Sequence, residues 1–421
     1  MKRRDLLLFG GRGALSAFAA SATKRGVLLA QGESLVPPDA LEQRVAGVMQ
    51  AYDAQGNHRT GTQVDNASAE WLARQAGAEA SLEPFPLNRA DPQSCYLRIG
   101  GRRIDGIPVF DADFTGPDGV QGKLGPLGSE AEIGLAESDP VKLSEPGTEQ
   151  ADQVLKARRS EHKAVVVLTR GVRPGLYLLN ASDFRKPFGP PMLQISSSES
   201  ERLRGLAAAR AEAKLVAQVK RTAAQAFNVT AKIAGRNPAL APIVLMAPRS
   251  AWWQGVSEQG SRLVCWLEAI RVLAAGKPAC DCFFVALSGH ELGFLGIDAY
   301  IKRHPELIKR AHAWIFFGSD IGSPRQPNLI HASDDALEQW AVAAMEKEGL
   351  TVNAKAPRDS KARGEASVVQ RGGGRYVTVV CGSDVQHSVA DRWPETVDVS
   401  LLARYARAFA NGALQLANHG G

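Results

Sequence analysis

The sequence predicts an α/β protein: a three-layer sandwich with helices on both faces of a mixed, mostly parallel sheet, plus a β-rich inserted domain. Three observations predict it. Four short apolar runs, at 243–247, 282–287, 314–317 and 376–381, are continuous and rich in β-branched or aromatic residues, as strands buried on both faces are. Helical periodicity lies between and after them. Leu263, Leu267, Ile270 and Ala274 mark one helix face, and Leu402, Tyr405 and Phe409 mark another. Residues 96–221 differ, with frequent Gly and Pro and short strands.

Taken in order, residues 31–39 read as a lead-in rich in Gly, Ser and Pro, and from Leu41 the pattern turns helical. Arg59-Thr60-Gly61-Thr62 precedes a second helix over 67–76, with Trp71 and Leu72 on its apolar side and Gly77 as its stop. Residues 81–99 read as a strand and its connection. Further on, 164–168 is a short apolar strand ending in Arg170-Gly171, and 199–211 is an Ala-rich helix. The α/β rhythm becomes clear from Phe227. It assigns residues 40–95 and 222–421 to one α/β domain and 96–221 to a separate insertion. There is no internal repeat and no long low-complexity tract.

A chain of 421 residues that is 44% hydrophobic can bury a substantial core, and with only 6% aromatics that core must be mainly Ala, Val, Leu and Ile. The net charge of +6 is modest. Its basic residues are scattered among acids, so no local patch supports a nucleic-acid partner. The start, Met1-Lys2-Arg3-Arg4-Asp5-Leu6-Leu7-Leu8, leads into a weak Gly/Ala-rich apolar segment. It resembles a twin-arginine export signal. Ala20-Ser21-Ala22 and Leu29-Ala30 are candidate cleavage sites. Residues 1–30 are therefore expected to be a signal peptide and the mature protein to be periplasmic or secreted. Arg12 interrupts the apolar run, which falls short of the ~20 residues a transmembrane helix needs. No later segment is long and apolar enough, so no stable membrane span is expected after cleavage. Cys95, Cys265, Cys280, Cys282 and Cys381 are an odd number, Cys280 and Cys282 have the wrong spacing for a zinc knuckle, and the five read as buried free thiols, with a single bridge as the alternative.

Polar residues follow each apolar run of the second half, where an open α/β sheet builds its site. Pro248-Arg249-Ser250 follows the first run, and Gly255-Val256-Ser257-Glu258-Gln259 comes next. The second run ends in Gly289-His290-Glu291-Leu292-Gly293, and the third leads into Ser319-Asp320-Ile321-Gly322. Val385-Gln386-His387-Ser388, with Asp391 beyond, follows the last. This order and spacing resemble the M28 family of zinc aminopeptidases, which includes the glutaminyl cyclases. The most specific match is Leu292-Gly293-Phe294-Leu295-Gly296 with Tyr300 beyond. Residues 96–221 resemble, in their pattern of elements, the protease-associated domain inserted in secreted members.

The resemblance implies a zinc exopeptidase-like fold and a metal site, and it also shows where this chain departs. At the family's first ligand, a His, stands Pro248, which has no lone pair for a metal. At the orienting Asp stands Ser250. The bridging Asp is replaced by Glu258, whose extra methylene shifts its oxygens by ~1.5 Å. His290 stands at the general-base Glu and can act as a base near neutral pH, or ligate a metal, or simply fill the site. Glu291, Asp320 and His387 fall at ligand positions. Glu258, Glu291 and His387 could hold one metal with water in the fourth place, while the other site keeps only Glu258 and Asp320. Without a metal, Asp320 is expected to pair with Arg249. The cofactor expectation is thus one zinc or none.

Three functions follow from these substitutions. The first is a metallopeptidase-like protein without standard two-zinc aminopeptidase activity, binding a peptide or protein in the old cleft. The second is a single-metal hydrolase or glutaminyl-cyclase-like enzyme using His290 as base. The third is an active zinc aminopeptidase with substituted ligands, drawing on His312 or His331.

Overall fold

The computed structural model describes residues 40–77, 79–140, 153–324 and 326–419. The expected signal peptide lies outside the described residues. Four parallel strands form the centre of the main sheet, in the order Tyr376–Cys381, Ala313–Phe317, Ile243–Pro248 and Cys282–Leu287. Antiparallel Asn328–Ala332 and Glu212–Ile233 flank them. The apolar runs become strands because every residue of Ile243–Pro248, Ala313–Phe317 and Tyr376–Cys381 is buried.

Alternate residues serve opposite faces, as the two-residue period of a strand dictates. Ile243, Leu245, Ala247, Ile315 and Phe317 pack on helices Ala40–Asp53, Ser261–Gly276, Asp335–Lys347 and Val399–His419. Val244, Met246, Trp314 and Phe316 pack on the other side against Ile297, Tyr300, Leu307 and Val369 of three shorter helices. This is the expected three-layer sandwich. Among the described residues no helix is long and apolar enough to cross a membrane. All five cysteines are free, and all but Cys95 are buried.

A second sheet region has its own core. Strands Val120–Pro126, Ile133–Ser138, Ala164–Thr169 and Met192–Ser196 run parallel to one another. Leu124, Ile133, Val166 and Leu193 pack against Leu203 and Ala207 of helix Ser200–Ala208, and Val165, Val167 and Met192 face Val154 and Ala157. Two long antiparallel strands, Ala80–Ile99 and Glu212–Ile233, carry the chain between the regions. They pair from Ala80↔Ala231 to Ile99↔Ala213 with one irregularity at Pro92/Ser94. The expected boundaries at 95/96 and 221/222 thus lie inside continuous strands.

The first helices fit their sequence signals. Helix Gln63–Ala76 starts four residues earlier than its apolar side suggested, because the Thr62 side chain accepts a hydrogen bond from Asp65 N and caps it. It stops at Gly77, whose φ of 100° is open to glycine and whose N–H bonds Ala73 O. Between the two helices, buried His58 stacks on Tyr52 with ring centroids 3.8 Å apart. Its Nδ1 lies 2.9 Å from Gln254 O and its Nε2 3.2 Å from Gln55 Oε1.

Burial pushes the His58 pKa down from 6.5 to about 3, and the positive field of Arg249 adds to this. The unfolded chain takes up this proton below 6.5 while the folded chain stays neutral to about 3. Stability from this residue is therefore full above pH 6.5 and is lost as pH falls toward 3. Below pH 6.5 thermal stability should fall, with a contribution from His58 that approaches about 1.4 kcal/mol per pH unit near pH 5. His58→Gln should flatten that limb, and an equally steep limb in the variant would assign the loss elsewhere.

Candidate functional site

The polar residues that follow the parallel strands collect at one edge of the sheet, because parallel strands all end on the same side. Two neighbouring clusters form there. Glu291 is the centre of the first. Its Oε1 accepts from Thr60 N at 2.8 Å and Thr60 Oγ1 at 2.7 Å, and its Oε2 accepts from Ser250 Oγ at 2.7 Å. Gly289 N donates to both hydroxyls, at 2.9 and 2.8 Å, so the turn carrying His290 and Glu291 is tied to the end of the neighbouring strand. Gly289 and Gly293 bracket this turn with φ of 85° and 72°.

Arg249 turns away from this edge. Its Nη1 donates to Asp65 Oδ1 and O at 2.8 Å each, and its Nη2 donates to Phe227 O at 2.6 Å. Both partners of the Arg249–Asp65 pair are fully buried. The expected Asp320–Arg249 pair is therefore absent. The guanidinium satisfies the carboxylate of helix Gln63–Ala76 instead, and Gly61 N and Ser288 Oγ complete that carboxylate at 2.8 and 2.9 Å.

Glu258 organises the second cluster. It sits in a π-helical turn, Val256–Gly260, entered through Gly255 at φ 61°. Single π turns of this kind concentrate at functional sites. His387 Nε2 lies 3.3 Å from Glu258 Oε1 and His290 Nε2 lies 3.9 Å from it. The other ring nitrogens are tied off: His387 Nδ1 faces Leu178 O at 2.8 Å, and His290 Nδ1 faces Glu365 Oε1 at 2.9 Å. Burial opposes ionisation of Glu258, but the charge and hydrogen bond of His387 outweigh it and hold its pKa at about 2. Burial likewise opposes charge on His387, and Glu258 prevails, raising its pKa.

Asp320 and Asp391 complete the carboxylates. Asp391 accepts from Ser257 N at 2.7 Å and Glu258 N at 3.0 Å, fixing the turn. Asp320 accepts from Ser257 Oγ at 2.8 Å, while its Oδ2 has no partner. Burial, with Asp391 and Glu258 adding to it, pushes the Asp320 pKa up to about 8. Asp320 and His387 hold left-handed backbones, φ 60° and 65°, rare for residues other than glycine. The Asp320 conformation is held by its N–H on Ser257 O at 3.1 Å. That of His387 is held by its carbonyl, which accepts from Leu178 N at 3.1 Å and Trp253 Nε1 at 3.2 Å.

Arg262 is the member of this cluster that sequence reasoning missed. It follows Glu258 by one helical turn, is 2% exposed, and lies over the Phe316 ring at 5.5 Å. Its Nε and Nη1 have no hydrogen-bond partner. Burial lowers its pKa, and the fields of Glu365, Glu258 and Asp320 oppose that. The available signal was a lone arginine in the apolar start of a helix, Ser261-Arg262-Leu263-Val264-Cys265-Trp266. Glu365, between Gly364 and Ala366, carried no signal.

The residues do not fit a pair of metals. Pro248 offers no donor. Glu291 already accepts three hydrogen bonds on a carboxylate with roughly four lone-pair sites. Arg262 adds a fixed cation. At an effective dielectric of about 20, a dication and a unit positive charge ~6 Å apart repel by roughly 5 kcal/mol. Among the described residues no group of three or more His, Cys, Asp or Glu is arranged to hold a metal ion. The suggested substitute donors lie elsewhere. His312 meets Arg375, and His331 meets Tyr376 Oη at 3.1 Å, both near the beginning of strand Tyr376–Cys381 and so at the opposite edge of the sheet.

Removing the Arg249 charge tests how this edge is anchored. Arg249→Met leaves Asp65 buried and uncompensated, and should cost about 3–5 kcal/mol in urea unfolding. Adding Asp65→Asn should recover part of that loss. Additive losses in the double variant would show that the pair is not coupled.

By sequence, the chain matches no protein-family model and no curated protein. By structure it is similar to a zinc aminopeptidase from Bacillus subtilis, with a TM-score of 0.73 at 17% identity over 90% of this chain and 95% of that one. A peptidase M28 precursor from Shewanella amazonensis gives 0.70 at 16% identity, over 90% and 96%. An aminopeptidase from an Aneurinibacillus strain gives 0.67 at 15%, over 90% and 94%. Helices on both faces of a mixed sheet are thus shared with these proteins across nearly their whole length: the chain has an M28 zinc-aminopeptidase-like fold.

Proposed function

We propose that this chain is an exported peptide-binding protein that uses the aminopeptidase fold without two-zinc hydrolysis. The carrying observation is the state of Glu291: both its oxygens are occupied by Thr60 and Ser250, whose donors lock it in place. A peptide hydrolase also needs a base with a free lone pair aimed at water. His290 is bonded through Nδ1 to Glu365 at 2.9 Å and turns Nε2 toward Glu258 Oε1 at 3.9 Å, so its ring is held between two carboxylates. The ligand class we assign is a peptide or a segment of a protein chain. This extends to the chain what the names of its structural neighbours say of them.

A second reading has one specific observation in its favour. His290 and His387 both turn Nε2 toward Glu258 Oε1 while their Nδ1 atoms are anchored by Glu365 and Leu178. Metal-binding imidazoles are commonly oriented by such partners. These residues would be the ones to hold a single zinc, which would supply a Lewis acid to a hydrolase or a glutaminyl-cyclase-like enzyme.

Two measurements separate the readings. The unmodified protein, purified without a metal-affinity tag, should contain no stoichiometric zinc and should not turn over aminoacyl amides or N-terminal glutaminyl peptides, with or without added zinc or cobalt. It should still bind members of a peptide panel by calorimetry. Turnover abolished by chelator and restored by zinc would overturn the binding reading in favour of the enzyme. Export is tested separately: replacing Arg3 and Arg4 by Lys should leave the protein in the cytoplasm, and unchanged export would remove the twin-arginine assignment.

A further inference from the structure

We infer that a cavity next to the turn carrying His290 and Glu291 holds the carboxyl-terminal residue of a bound peptide, with Arg221 on its carboxylate and its apolar side chain against Phe85 and Leu295. The inference deepens the peptide-binding reading and rests on it. The cavity has a volume of about 730 Å³, within the range of ligand-binding pockets. Leu295, Asp298, Ala299 and Lys302 are spaced by one helical turn, so they share a face of helix Leu295–Arg303, and that face is one wall. Phe85, Leu87 and Asn88 of the long ribbon form a second wall, and Phe184 and Arg185 a third. Phe85, Phe184 and Leu295 are buried in one apolar cluster, which makes the floor apolar.

Three cations and one carboxylate line this space. The carboxylate, Asp298, is taken by Arg185. Among the described residues neither Arg221 nor Lys302 is paired with an acid. Arg221 is nevertheless half-buried and held in position. Its guanidinium carbon lies 4.8 Å from the centroid of Phe184 and 5.0 Å from that of Phe114, and its Nη1 donates to Asn88 O at 3.2 Å. Rings over the face of a guanidinium leave its N–H edge free, and that planar edge matches a carboxylate side by side. A pre-positioned, unpaired cation beside an apolar floor fits a ligand with an anionic end and an apolar body. The exposed Asn88 side chain supplies a donor and an acceptor for the adjoining peptide bond, which a fatty acid would leave unused. Two walls also reach the acidic cluster. Phe184 N donates to Ala181 O at 3.2 Å, Ala181 N to Glu291 O at 2.8 Å, and Leu295 N to Gly289 O at 3.1 Å. A peptide anchored here lies against backbone that orients the site.

The test is calorimetry on the full chain with an N-acetylated tripeptide ending in leucine, as free acid and as amide. Wild type should bind the acid about tenfold or more tightly than the amide. The same acid ending in glycine should bind about tenfold more weakly, because the apolar floor is left unfilled. Arg221→Gln should erase the preference for the acid, and Arg221→Lys, which keeps the charge but not the fork, should restore only part of it. Ala299→Trp fills the cavity without changing its charge and should abolish binding of the acid. Thermal unfolding checks that each variant is folded, and the comparison of acid with amide needs no variant. Equal binding of acid and amide by wild type overturns the inference, as does wild-type affinity for the acid in Ala299→Trp, and in both cases the peptide-binding reading stands. Decanoate or inorganic phosphate binding as tightly as the acid would overturn the peptide as occupant. Arg221-dependent binding of N-acetyl-leucine, with no binding of any longer peptide, would sink the peptide-binding reading and leave the chemistry of the cavity standing.

Discussion

Burying several carboxylates at one edge of a sheet is unfavourable unless each receives a counter-charge, donors or a proton, and this constraint organises the molecule. The acids meet it in different ways. Asp65 receives Arg249. Glu291 receives hydroxyl and amide donors, Asp391 two backbone amides, and Glu258 an imidazole. Asp320 is raised to about 8 and so keeps its proton at neutral pH. Much of the surrounding architecture serves these arrangements. Helix Gln63–Ala76 is pinned by Arg249, the turn at Gly289 by Thr60 and Ser250, and the turn at Val256 by Asp391.

The second sheet region takes part as well. Leu178 bonds His387 through both its N–H and its carbonyl, and Ala181 N donates to Glu291 O at 2.8 Å. The segment that orients the site therefore comes from a region with its own core. A substitution in that core, far from the acids, could reach them through the backbone at 178–181. Glu365 acts from the opposite direction, fixing His290 from the segment before the last strand of the sheet.

Much of the fold was legible in the sequence because it rests on one-dimensional signals. Continuous apolar runs became buried strands within a residue of their expected bounds, and Gly77 ended its helix. The helix expected over 199–211 proved shorter, at Ser200–Ala208, because Ala213 and Leu215 continue into a strand that pairs with its neighbours. Part of the site was also legible: Glu258, His290 and His387 meet although they come from different segments. What escaped was side-chain direction. The sequence puts Arg249 beside the expected metal position, but not which way its long stem points. Arg262 drew no expectation, because its burial follows from the packing of its helix on helix Ala40–Asp53 and the last helix. Glu365 lies more than 70 positions from His290, with no pattern linking them (365 − 290 = 75).

The long ribbon joining the two regions has a consequence for how the chain reaches its native state. Its inner end pairs Ile99 with Ala213 and its outer end pairs Ala80 with Ala231. Closing the inner end brings together residues more than a hundred positions apart (213 − 99 = 114), which is slow and entropically unfavourable for an open chain. If the intervening region collapses first, that closure is made within a compact body. Each further rung then lengthens the loop by only two residues, so the ribbon can zip outward toward Ala80. Strand register thus makes closure of the ribbon depend on the compactness of the lobe that lacks the acidic cluster.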